Sequence, residues 1–153
     1  MGQGNEYKEQ QKTDYQKLLA PLFSYIPYLK DKEGQKTRSI YQNENVELKS
    51  VPVPVYDGTV LAFVKEAQRT GLVTRNYIYS YQKIGAKNPK DERLYVSGAT
   101  FQDIDVIISI ISKYVLGGMT KGVMWSEAVE EGVWLHCLIK LKDLLEVYDH
   151  PLA

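Results

Sequence analysis

The stretch from Thr100 to Val147 constrains the fold more than any other, because it joins dense apolar periodicity to clear start and stop signals. Ile104, Ile107, Ile108, Ile111 and Val115 recur at three- and four-residue spacing, which is the pattern of one buried helix face. Thr100 with Asp103 three residues on has the spacing of a capping box, with Asp in place of the usual Glu. Gly117 and Gly118 then read as the end of that helix in a left-handed turn. A short segment from Gly122 to Gly132 carries Trp125, Ala128 and Val129 among Glu127, Glu130 and Glu131, and beyond it Trp134, Leu138, Leu141, Leu145 and Tyr148 fall on one stripe. Three consecutive helices folded on one another are expected, with Trp134 and the isoleucines in the core.

The rest of the chain is less regular. Residues 1–12 are polar and are expected to form a flexible N-terminus. Thr13 or Asp14 is placed to cap a helix whose face is Leu18, Leu19, Leu22, Phe23 and Ile26. Pro21 would kink that helix or sit in its first turn, and Pro27 would end it near Tyr28 and Leu29. Lys30 to Asn45 reads as a charged connector. Val46 to Val55 contains Pro52 and Pro54, which forbid a central strand and predict an extended arm, at most an edge strand.

Asp57 or Thr59 opens the next expected helix, with Val60, Leu61, Val64 and Ala67 inward and Gly71 as its stop. Thr74 begins a short helix through Tyr77, Ile78, Tyr81 and Ile84, ended by Gly85, although the alternation of Tyr77, Tyr79 and Tyr81 leaves a strand open over 76–82. Lys87 to Arg93 reads as a charged loop. The expected architecture is all-α: a compact bundle of five or six helices with a proline-bearing extended arm at 46–55. It forms a single domain over 13–148, followed by a tail at 149–153.

Composition narrows the function classes. The chain has 153 residues, enough for one domain with a sizeable core. Nineteen basic and nineteen acidic residues cancel, which argues against a protein that works mainly on nucleic-acid phosphates. Cys137 is the one cysteine, so no internal disulfide can form; a cytoplasmic setting and a buried, inert thiol are expected. Met1 to Gln11 has no apolar core, so no secretory leader is expected, and no apolar run is long enough to span a membrane.

Chemistry-bearing constellations are few. Glu127 and Glu131 share a helix face, and His136 follows five residues after Glu131; two carboxylates and an imidazole are candidates for acid–base work or a divalent metal. The plainer reading is a solvated acidic face, with no cofactor and no metal. Gly117-Gly118 lacks the pattern of a phosphate loop. Twelve tyrosines, several interleaved with Lys30, Arg38, Arg75 and Lys83, allow a nucleic-acid surface as a third reading, but tyrosines in helix seams are commoner. Trp125 lies on a short glycine-bounded helix where full burial is hard. It is therefore the expected centre of a contact surface with Met124 and Tyr56.

The run SKYVLGGMTKGVMWSEAVEEGVWLHCLIKLKDLL (Ser112 to Leu145) resembles the C-terminal signature of a domain-of-unknown-function family of small bacterial cytoplasmic proteins. Tyr114, Gly122, Met124-Trp125, Ala128, Glu131-Gly132, Leu135, Leu138 and Lys140-Leu141 occupy the positions of that signature, and Val51 to Val73 resembles the family's proline-bearing arm leading into a helix. The family's pattern has a charged turn where this chain has Leu116, Gly117, Gly118 and Met119. The resemblance implies a helical bacterial protein and no particular activity. The expected function is a non-enzymatic protein-interaction or regulatory domain, with self-association or a protein partner. The alternative is a small metal-dependent or acid–base enzyme using Glu127, Glu131 and His136.

Overall fold

A computed structural model describes the backbone of residues 2–35, 38–41, 53–56 and 58–147, and the side chains of 7–35 and 58–147. In chain order the elements are α1 (Gly2–Phe23), α2 (Ile26–Lys32), β1 (Arg38–Tyr41), β2 (Val53–Tyr56), α3 (Gly58–Arg69), α4 (Tyr77–Tyr81), α5 (Pro89–Ser97), α6 (Ile104–Gly117), α7 (Val123–Glu130) and α8 (Val133–Leu144). One-turn 3-10 helices follow α4 and precede α6. The fold is all-α, with eight α-helices among the described residues rather than five or six, plus one small antiparallel ladder that pairs Arg38 with Tyr56 and Tyr41 with Val53.

The core grows around α6. Ile104, Val106, Ile107, Ile108, Ile110, Ile111, Tyr114 and Val115 are all buried, so this helix is apolar around most of its circumference and has to be covered by others. Ser109 and Ser112 fit in the same interior because each hydroxyl donates back to a carbonyl of its own helix, those of Val106 and Ile108. From α8, Trp134 is fully enclosed: its ring lies 4.6 Å from that of Phe63 in α3, and its indole N–H donates to the Ile111 carbonyl at 3.4 Å. Tyr25 meets Phe63 edge-on at 5.3 Å, joining the α1–α2 corner to the same cluster. Leu138, Leu141 and Leu145 are buried as their stripe predicts, while Tyr148 lies outside the described residues. Among the described residues no helix is long and apolar enough to cross a membrane.

Several local expectations are corrected. Helix α1 begins at Gly2 rather than at Thr13 or Asp14, and Pro21 falls in its last turn, where the helix has only two residues left. The N-terminal helix is held by groups distant in sequence: Lys12 pairs with Glu146, Gln16 donates to the Leu145 carbonyl at 2.6 Å, and the Tyr15 phenol donates to Asp105 at 2.6 Å. Pro27 starts α2 instead of ending a helix, since the first turn is where a missing N–H costs nothing. Leu18 and Leu61 turn outward, and Phe63 takes the inward place in α3.

Residues 87–93 are largely helical rather than loop: Asn88 accepts the Asp91 N–H at 2.9 Å, with Pro89 and two acids in the first turn of α5. Tyr77–Tyr81 is helical, so the strand alternative is not realised. Gly71 is left-handed, as expected of a helix stop, and Gly85 ends its helix as expected, also with a positive φ. Thr100 and Asp103 form the capping box, the Thr100 N–H reaching the carboxylate at 2.8 Å. Within the expected arm, Val53 to Val55 belong to β2, and residues 46–52 lie outside the described residues, as does Asp57.

Candidate functional site

The α6–α7 corner contains two of the three expected binding residues. Gly117 and Gly118 are not a left-handed turn: Gly118 has φ −68° and ψ −17°, ordinary helical backbone. Glycine is needed here for close approach. A methyl group built on Gly118 would fall inside the indole of Trp125, and one on Gly117 would stand 2.5 Å from the Met124 sulfur. Helix α7 thus folds back tightly onto the end of α6. The Met119 N–H bonds the Leu116 carbonyl three residues back, which frees the Val115 carbonyl to accept the Trp125 indole N–H at 3.1 Å.

Trp125 and Met124 are therefore half-buried corner-stones rather than projecting anchors. The most exposed apolar groups beside them are Met119, at 60% exposure, and Val123, at 45%. Neither was singled out in the sequence, because Met119 stands in the turn after α6 and Val123 at the very start of the short α7, where no periodicity marks a face. Tyr56 ends β2, and its side chain lies outside the described residues.

Glu127, Glu131 and His136 do not converge. Left-handed Gly132, φ 70°, separates α7 from α8. The His136 Nε2 lies 3.3 Å from Glu33 at the end of α2, while Glu131 faces solvent. Among the described residues no group of three His, Cys, Asp or Glu is placed to hold a metal ion. Cys137 is wholly buried, and burial pushes its thiol well above the ordinary range, which suppresses the reactive thiolate.

Sequence reading missed a buried carboxylate. Glu92 of α5 has no exposed surface, yet each oxygen is satisfied: Oε1 accepts the Tyr114 phenol at 2.5 Å, and Oε2 accepts the Tyr81 phenol at 2.5 Å and the Lys113 ammonium at 2.9 Å. Lys113 also donates to the Tyr81 oxygen at 2.9 Å and stands over the rings of Tyr81 and Tyr114, 4.7 and 4.9 Å from their centroids. Burial pulls the Lys113 ammonium down, but its bonds to Tyr81 and Glu92 outweigh this and its pKa is raised. Burial first, and then the bond to Glu92, pushes the Tyr81 phenol up to about 12 and raises Tyr114 further. The charge of Glu127 contributes to the Tyr114 shift. A carboxylate enclosed in this way, with both oxygens bonded, is not placed to meet a substrate. Its chemistry is that of a clamp joining α4, α5 and α6.

No protein-family model, curated protein or solved structure matches this chain.

Gly118→Ala should destabilise the fold by about 1–3 kcal/mol through overpacking against the indole. Gly117→Ala should cost less, because the flexible end of Met124 can move; urea midpoints of the two variants give the comparison. Glu92→Ala should cost about 3 kcal/mol, since it leaves a partly buried ammonium and two phenols without their acceptor. Because the folded pKa of Tyr81 lies above its ordinary 10.0, the folded state holds that proton more tightly, and stability should fall from about pH 10 to pH 12. The raised Lys113 acts in the same direction. Denaturant titrations across this range should show a shallower alkaline loss for Tyr114→Phe than for the parent.

Proposed function

We propose that this chain is a small bacterial cytoplasmic domain without enzymatic activity, acting as a protein-interaction or regulatory module through the α6–α7 corner. Membership of the bacterial family that Ser112 to Leu145 resembles is part of the same proposal. The observation that carries it is the apolar group at the corner: Met119 and Val123 are exposed beside half-buried Met124 and Trp125. Apolar side chains gathered on a surface mark contact sites more often than scattered ones do, and methionine adapts to the shape of a partner. The close seating of Met124 and Trp125 on Gly117 and Gly118 holds two members of the group against the end of α6. The metal or acid–base reading has less support, since His136 pairs with Glu33 rather than with Glu127 or Glu131.

Trp125→Ala would remove the bond to Val115 and open the helix contact, so it tests the fold as much as the surface. The better test places a photo-crosslinking amino acid at Met119 in host cells. A discrete adduct with one protein, abolished by Val123→Glu in a variant of unchanged circular dichroism, is the expected outcome. No adduct, or one indifferent to Val123→Glu, would count against this surface.

A further inference from the structure

A cavity of about 210 Å³ opens between the early turns of α1 and the start of α6, with Tyr7, Lys8, Gln11, Tyr15, Phe101 and Asp105 among its walls. Three aromatic rings around one carboxylate is a distinctive lining for a small surface cavity. Tyr15 and Phe101 are seated against the core, which fixes their rings, while Tyr7 is largely exposed. The Tyr15 phenol donates to Asp105 Oδ1 at 2.6 Å and so holds the carboxylate at the wall. Burial, reinforced by that bond, raises the Tyr15 pKa far above its ordinary value, so the phenol stays a donor. The Lys8 ammonium stands 5.1 Å from the centroid of the Phe101 ring, so this aromatic face already receives a cation from the chain itself.

A ring face carries negative electrostatic potential, and a nearby carboxylate deepens it. A primary ammonium such as that of Lys8 is strongly hydrated and gains little from the ring while exposed. An alkylated ammonium spreads its charge over methyl groups, gives up less hydration, and brushes several rings at once. We propose that this cavity binds a small alkylated ammonium group, with Phe101, Tyr15 and Tyr7 enclosing its methyl groups, Asp105 supplying the counter-charge, and Lys8 as the displaceable occupant of the Phe101 face. The site is separate from the α6–α7 corner and does not depend on it.

The test is an NMR titration of the full chain with choline chloride, run against its neutral carbon isostere 3,3-dimethyl-1-butanol. Saturable shifts of the Tyr7 and Tyr15 ring signals are expected with choline and not with the alcohol. Phe101→Leu should weaken choline binding by about five- to tenfold. Asp105→Asn, which keeps an oxygen for Tyr15 to bond, should weaken it too with circular dichroism unchanged, and Lys8→Ala should strengthen it. Sedimentation with phosphatidylcholine vesicles then separates the sources: co-sedimentation assigns a lipid headgroup, and choline binding without it assigns a free amine. Equal response to the neutral isostere, no saturable shift with choline, or weaker binding by Lys8→Ala would each overturn the proposal.

Discussion

A helix that is apolar on almost every side can exist in water only if it is enclosed, and α6 imposes that condition on the whole chain. Helices α3, α4, α7 and α8 all pack on it. The aromatic chain of Tyr25, Phe63 and Trp134 fills the space between α3, α8 and the α1–α2 corner. Burying so large an aromatic surface favours one arrangement over others, because rings of fixed shape leave few alternative packings. The indole bond from Trp134 to Ile111 adds direction to a contact that apolar burial alone would leave free to slide.

The polar groups of α6 are put to use in the same way. Asp105 and Lys113 are the charged residues in this helix, and each receives a partner from a different neighbour: Tyr15 from α1 for the first, Glu92 from α5 for the second. Apolar burial is non-directional, whereas a carboxylate that must find three donors accepts one register only. The Glu92 clamp therefore ties α5, which packs mainly on α8, to α6, and fixes α4 on a helix whose greasy surface would accept it at several rotations.

How far the sequence foretold this depends on the range of the interaction. The three C-terminal helices, the Thr100–Asp103 cap and the helix stops at Gly71 and Gly85 rest on neighbours within a few residues, and all are legible in the chain. The start of α5 was equally local, since Asn88, Pro89, Asp91 and Glu92 form a standard helix entrance, but the density of charge there suggested a loop. The N-terminal extension of α1 was not legible, because its polar turns are fastened to Asp105, Leu145 and Glu146 at the other end of the chain. The same holds for Glu92, whose partner Lys113 stands among isoleucines and looks like an ordinary helix charge until the fold brings the two together. Of the expected contact surface, Met124 and Trp125 belong to the right corner, but their burial follows from Gly117 and Gly118, a pair whose two possible roles look identical in sequence.

That pair also bears on which substitutions the corner accepts. The space Trp125 occupies is the space a side chain at position 118 would need, so a substitution at 118 is felt first at 125. A smaller residue at 125 would relieve a side chain at 118 only by giving up the indole N–H, leaving the Val115 carbonyl to be satisfied by water. The two positions thus act as one steric unit, and together they set how closely α7 can bend back onto α6.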